Sequence, residues 1–177
     1  KTTLVIGPSN LVFSKDLKIK KITSADEMLS EVKKLLPVDL AVCTAAVTDF
    51  KPAEKSKNKI KKENIKLKKI NFVKNYDILE YISKNNKYRP RLVAGFSAET
   101  ENITKNSISK IKRKHCDIIF ANDVSQKGIG FNSDYNKVSV IDKKGDIKII
   151  PKNKKSFIAN KIAEILLNKL LINDKNI

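Results

Sequence analysis

Short apolar runs alternate with stretches of helical spacing along the whole chain. Thr3–Ile6 is a short, mostly apolar run that stops at the turn pair Gly7-Pro8, and it reads as a buried strand. Residues 17–22 alternate apolar side chains with lysines, the period of a half-exposed strand. Ser24 and Glu27 have capping-box spacing and open a helix predicted to reach about residue 36. Residues 38–43, 91–96 and 117–120 are further apolar runs of strand length, while 77–83 and 103–111 carry helical spacing. Residues 138–141 and 147–150 flank Lys143-Lys-Gly-Asp146 and predict a hairpin, and 156–171 predict a long closing helix.

Strands apolar on both faces and separated by helices predict an α/β fold, an open doubly wound sheet, Rossmann-like and mostly parallel, with a C-terminal β-hairpin and closing helix. Ligands of such sheets lie outside the carboxyl ends of the strands. Three of those ends read Cys43-Thr-Ala-Ala-Val-Thr-Asp49, Phe96-Ser-Ala-Glu-Thr100 and Ala121-Asn-Asp-Val-Ser125. Each offers small residues that let a ligand approach the backbone, followed by a carboxylate. Any one of them also serves as an ordinary turn or cap.

Composition narrows the class. At 177 residues the chain is long enough for a single domain that buries roughly two-thirds of its unfolded surface. Its 37 Lys and Arg against 19 Asp and Glu give a net charge of +18, which attracts anions at long range without choosing among them. Cys43 and Cys116 each lie in an apolar stretch, which fits packing in a reducing cytoplasm better than redox or zinc chemistry. No apolar run approaches the roughly 20 residues of a membrane span, so a membrane partner is not expected.

Residues 51–69 form a lysine-dense stretch, and 51–64 are expected to act as a lid over a phosphate-bearing ligand. A solvated loop has the same composition. Lys110 and Lys114 stand four apart on a predicted helix, so both ammonium groups share one face at a small repulsive cost that an anion would reverse. No P-loop is present, and Gly128-Ile-Gly130 lacks the flanking strand and helix of a dinucleotide fingerprint. His115 has no nucleophile partner and reads as a helix-end or core residue.

Six ordered segments go beyond pattern: Ala45-Ala-Val-Thr-Asp-Phe-Lys51, Lys59-Ile-Lys-Lys62, Val73-Lys-Asn-Tyr-Asp-Ile-Leu79, Val93-Ala-Gly-Phe-Ser-Ala-Glu-Thr100, Ala121-Asn-Asp-Val-Ser125 and Gly130-Phe-Asn-Ser-Asp134. Together they resemble bacterial phosphopantothenate-cysteine ligase, the C-terminal synthetase domain of the bifunctional flavoprotein of coenzyme A biosynthesis. The resemblance implies that the carboxylate of 4'-phosphopantothenate attacks the α-phosphorus of CTP, and that the amine of cysteine then displaces CMP from the acyl-cytidylate. It also implies Mg2+, no FMN in this part of the chain, a homodimer, and a cytoplasmic enzyme for which nucleic acid is not the expected partner. No metal-ligating residue is assigned.

By the same resemblance Cys43, Thr44 and Ala45 contact the nucleotide through the main chain and Asp49 through its side chain. Lys59 is the lid lysine and the candidate catalytic residue. Tyr76, Asp77, Ile78, Leu79, Phe96, Lys110 and Lys114 also touch the nucleotide, whereas Asn122 and the 130–136 stretch are structural. Tyr76 stands where the family carries proline. Family synthetase domains begin with a further strand, a glycine-rich turn and a helix bearing an asparagine that handles the acyl-cytidylate, and Lys1 begins after them. The expectation is therefore a fragment or a decayed gene, with activity conditional on that segment and an apolar edge that lowers stability. The alternatives are a basic nucleic-acid-binding module and a degenerate subunit that only dimerises.

Overall fold

The computed structural model describes residues 1–54, 56, 70–125 and 133–174. They fall into two compact units, one of Lys1–Lys33 with Ala46–Asp77 and the other of Lys34–Ala45 with Ile78–Ile177.

In the first unit β1 (Thr3–Ile6) pairs in parallel with β2 (Lys18–Lys21). Period-two alternation turns Ile19 inward and leaves the lysines of β2 exposed, as the sequence predicts. β1 was expected to be buried, yet each of its residues is only half-buried, because it belongs to this two-stranded sheet and not to the large one. Helix α1 (Ala25–Leu35) opens with the Glu27 N–H donating to Ser24 Oγ at 3.3 Å. The Glu27 carboxylate reaches past Ser24 to accept from the N–H of Thr23 at 2.7 Å, and these hydrogen bonds hold its carboxyl below the usual glutamate range. The cap thus spans one residue more than the capping-box spacing suggested.

Strand β4 (Phe50–Pro52) pairs antiparallel with β5 (Phe72–Lys74), a pairing the sequence reading did not anticipate. Lys51, expected at the root of the lid, is instead a strand residue whose ammonium binds the Asp26 carboxylate at 2.6 Å. Residues 55 and 57–69 lie outside the described residues.

The second unit is built on a five-stranded sheet in the order β3-β6-β7-β8-β9: β3 (Leu40–Cys43), β6 (Leu92–Glu99), β7 (Ile118–Asp123), β8 (Tyr135–Asp142) and β9 (Ile147–Lys154). The β3-β6 and β6-β7 pairs are parallel, and β7-β8 and β8-β9 are antiparallel. The sheet is therefore mixed, not mostly parallel. Its order advances steadily, without the reversal that a doubly wound sheet requires. The reason is that β1 and β2, read as further strands, pair with each other in a separate sheet, while the expected hairpin turns β9 back against β8, so antiparallel pairs in this sheet weigh as much as parallel ones.

Helix α2 (Ile78–Ser83) follows β5 and leads into β6, and α3 (Ile103–Lys114) links β6 to β7. An ideal Cβ built on Gly95 would lie 2.6 Å from Leu79 Cδ2, so α2 rests directly on β6 where only glycine gives room. On the opposite face α4 (Lys155–Asp174) places Ile158, Ile162 and Leu166 against Leu92, Ala94, Ile118, Phe120, Val138 and Val140. Burial on both faces explains why β6 and β7 read as continuous apolar runs. β3 was predicted to be equally buried, but among the described residues it pairs with β6 alone and leaves Val42 42% exposed.

Because both faces of β6 and β7 are apolar, charge in these two strands is confined to their ends. At the amino ends Asp117, with a side chain only 10% exposed, accepts from the N–H of Val93 at 2.8 Å and from Arg89 Nη2 at 2.9 Å. Arg89 also donates to the carbonyls of Ser83, Pro90 and His115, joining the ends of α2 and α3 to the starts of β6 and β7. His115 caps α3 with φ 60°, the helix-end role expected of it. Near the β8-β9 turn, burial would raise the Asp142 carboxyl, but the hydrogen bond and charge of Lys169 at 2.7 Å and the N–H groups of Lys144 and Asp146 hold it below the usual range.

Two predictions follow from these anchors. Asp117→Ala strands the Arg89 guanidinium and the Val93 N–H, and should cost about 2–4 kcal/mol in urea unfolding; a loss under about 0.5 kcal/mol would contradict the anchoring role. The depressed Asp142 carboxyl stabilises the fold fully above the ordinary aspartate range, and this contribution is lost as pH falls through the folded value. Lys169→Met should therefore destabilise the chain at neutral pH and flatten the acid limb of its stability profile. An unchanged acid limb would show that Lys169 does not set it.

Candidate functional site

In the second unit the carboxyl end of the parallel strands gathers several of the residues singled out by sequence. Cys43 ends β3 opposite Gly95 of β6, so the half-buried Cys43 and the small-residue run Thr44-Ala45 leave the sheet beside Phe96. Leu79, from the first turn of α2, lies over Gly95, which brings the 78–79 segment to the same strand. The Phe96 ring is half-buried and packs on Phe120 with centroids 5.2 Å apart, the core contact open to a strand-end phenylalanine.

Lys110 and Lys114 share one face of α3 as their spacing predicts, and each ammonium meets a carboxylate. Lys110 Nζ lies 2.9 Å from Glu99 Oε1, at the last residue of β6. Lys114 Nζ lies 3.5 Å from Glu80 Oε2, in the first turn of α2, and its side chain is only 14% exposed. The two ammonium groups therefore do not simply repel one another, since a separate anion compensates each. Asn106, one helical turn before Lys110, donates to Glu99 Oε2 at 3.3 Å. Lys84 donates to Glu80 Oε1 at 2.6 Å, and this hydrogen bond, with the charges of Lys84 and Lys114, outweighs partial burial and holds the Glu80 carboxyl below the usual range.

Glu99 was visible in the sequence only as a strand-end carboxylate, and its pairing with Lys110 eleven residues later depends on how α3 folds back over β6. Glu80 carried a readable signal in its four-residue spacing to Lys84. Asp123 pairs in register with Glu99 and accepts from the N–H and hydroxyl of Ser125, an ordinary local turn. Asn122 accepts from Asn136 Nδ2 at 3.0 Å across β7 and β8, a fold contact in keeping with the structural role expected of it.

An open cleft of about 590 Å3 lies by the first turn of α3, lined by residues such as Thr100, Asn102, Lys105 and Asp123. It includes none of the predicted site residues.

In the first unit Asp49 and Tyr76 are brought close along the backbone. The N–H of Asn75 donates to the Asp49 carbonyl at 2.8 Å, and Asn75 Nδ2 donates to the Thr48 carbonyl at 2.8 Å. Asp49 and Tyr76 are exposed, and Asp77 is half-buried just before α2. Lys59 lies outside the described residues, as do Gly128, Gly130, Phe131 and Asn132. Among the described residues, no group of three or more His, Cys, Asp or Glu side chains is placed to hold a metal ion. No helix among them is long and apolar enough to cross a membrane.

The coenzyme A biosynthesis bifunctional protein CoaBC of Borreliella burgdorferi is 37% identical over 166 residues, covering 93% of this chain and 41% of that protein. The chain thus spans about two-fifths of the length of that relative. The crystal structure of the C-terminal domain of a CoaBC protein superposes with a TM-score of 0.72 at 28% identity, over 97% of this chain and 76% of the other. A Cab2 mutant, solved in complex with phosphopantothenate-cysteine, shares the fold with a TM-score of 0.65 at 16% identity, over 91% of this chain and 56% of that one. The family model that matches covers residues 1–170 and describes the DNA/pantothenate metabolism flavoprotein C-terminal domain, and this chain, with its mixed five-stranded sheet, belongs to that family, the phosphopantothenate-cysteine ligase domain of CoaBC proteins.

Proposed function

We propose that the chain binds CTP and forms the ligase part of a protein that joins 4'-phosphopantothenate to cysteine. The observation that carries this reading is the pair of lysines, Lys110 and Lys114, aligned on α3 and paired with carboxylates at the carboxyl end of β6 and in the first turn of α2. Family membership supports the substrate class. The Cab2 mutant bound to phosphopantothenate-cysteine supports the product class, as a property of that protein.

The chemistry explains why cations are needed. A carboxylate must approach the α-phosphorus of a triphosphate, bond to it through oxygen as an acyl phosphate and expel pyrophosphate as the α,β-phosphoanhydride bond breaks. The cysteine amine then attacks the acyl carbon, the amide forms as the acyl-oxygen bond breaks, and CMP leaves with the electron pair. Both partners in the first step are anions, so their approach is repulsive until positive charge offsets it. Fixed ammonium groups do this without reorganising during the reaction. Mg2+ enters as part of the substrate, on the triphosphate.

In this reading Lys110 and Lys114 take phosphate oxygens. The main chain of Cys43, Thr44 and Ala45, the small residues leaving β3, lets the nucleotide lie close to the backbone. Ile78, Leu79 and Phe96 contribute contacts from α2 and β6. Asp49, Tyr76, Asp77 and the catalytic role of Lys59 rest on the motif match alone.

Calorimetric titration should show Mg-CTP binding at millimolar or better affinity. Lys110→Ala and Lys114→Ala should each weaken it roughly tenfold, the loss of one charge-assisted hydrogen bond. Asp49→Asn should weaken it as well. Binding of RNA or DNA that falls steeply with salt, together with no preference for CTP, would instead identify a basic nucleic-acid module.

A further inference from the structure

Lys110 stands where the nucleotide reading needs available positive charge, and its ammonium already has an anionic partner. Glu99 divides its oxygens: Oε1 accepts from Lys110 at 2.9 Å and Oε2 accepts from Asn106 at 3.3 Å. The Glu99 side chain is only 13% exposed, so water compensates little of its charge and Lys110 compensates much of it. A phosphate oxygen makes the same charge-assisted contact with an ammonium that a carboxylate oxygen makes. Nucleotide and Glu99 therefore compete for one cation.

We propose that Glu99 is an internal stand-in for the nucleotide's phosphate, a positioning residue that fixes the Lys110 ammonium at the carboxyl end of β6 and must give it up when the nucleotide arrives. The proposal rests on the nucleotide reading above and adds to it a residue that lowers affinity. Two effects oppose each other. The tether spares the nucleotide part of the cost of ordering a lysine side chain, whereas the contest costs it a charge-assisted hydrogen bond to a mostly buried carboxylate. The second is the larger, because that carboxylate loses its counter-charge when Lys110 leaves. Glu80 offers an internal comparison. It is more exposed, at 34%, and Lys84 holds its other oxygen at 2.6 Å, so releasing Lys114 leaves it still compensated.

The test is titration of the 177-residue chain with Mg-CTP in four forms: unsubstituted, Glu99→Gln, Lys110→Ala and the double substitution. Thermal melts establish that each is folded. Glu99→Gln keeps the shape and an oxygen for Asn106 while removing the charge, and should tighten binding roughly three- to thirtyfold. In the Lys110→Ala background the same substitution should change affinity by less than about twofold. Glu80→Gln should have a smaller effect than Glu99→Gln.

Unchanged or weaker binding by Glu99→Gln would overturn the proposal, as would equal tightening without Lys110, which would mean direct repulsion of the nucleotide. If Lys110→Ala itself leaves CTP affinity untouched, the nucleotide reading fails, and the stand-in role fails with it. Glu99→Met provides a second neutral variant should the glutamine form not fold.

Discussion

Burial of β6 and β7 on both faces governs where this molecule can place charge. Val93, Ala94, Ile118, Ile119, Phe120 and Ala121 have no accessible surface, with α4 packed on one side and α2 and α3 connected across the other. A charged group among them would lose its hydration without a partner, at a cost of several kcal/mol or more. Polar chemistry is thereby driven to the two ends of these strands. At the amino ends it becomes an anchor, where Asp117 and Arg89 satisfy four backbone groups, those of Ser83 at the end of α2, Pro90 just before β6, Val93 in β6 and His115 at the cap of α3. At the carboxyl ends Glu99 and Lys110 pair with one another at 2.9 Å, and it is there that the proposed function places an anion.

Compensation of charge is the second theme. A chain with a net charge of +18 could have presented its lysines to solvent without partners, yet Lys51, Lys84, Lys110, Lys114, Lys143 and Lys169 each meet a carboxylate. Those pairs differ in worth. Lys84 and Glu80 form an exposed i,i+4 pair of the kind that contributes a few tenths of a kcal/mol, whereas Asp117 and Asp142 are largely withdrawn from water and bound at several points. Glu99, 13% exposed, belongs by burial with Asp117 and Asp142, but its carboxylate pairs with the side chains of Lys110 and Asn106 on one helix.

Much of this order could be read from the residues because local rules and tertiary packing agree. Gly7-Pro8, the Ser24 cap, the apolar run that became β6 and the glycine turn between β8 and β9 each carry a backbone or burial signal that needs no distant partner. Where the reading went astray, the missing information was non-local. Nothing in Thr3–Ile6 distinguishes a strand of a small sheet from one at the centre of a large sheet, and Val42 looks like a core residue until β3 is seen to have one neighbour. β4 and β5 pair across about twenty intervening residues, beyond any turn signal. The stripe of Lys110 and Lys114 was legible from helical spacing, whereas their carboxylate partners depended on how α3 and α2 pack beside β6.

Hydrogen-deuterium exchange with and without Mg-CTP tests the central claim most directly, since it reads backbone protection at every segment and needs no substitution. Nucleotide should slow exchange over residues 43–45 and 76–79, at the end of β6 and around Lys110 and Lys114. Protection confined to other segments, or none at saturating nucleotide, would contradict the assignment of these strand ends to CTP.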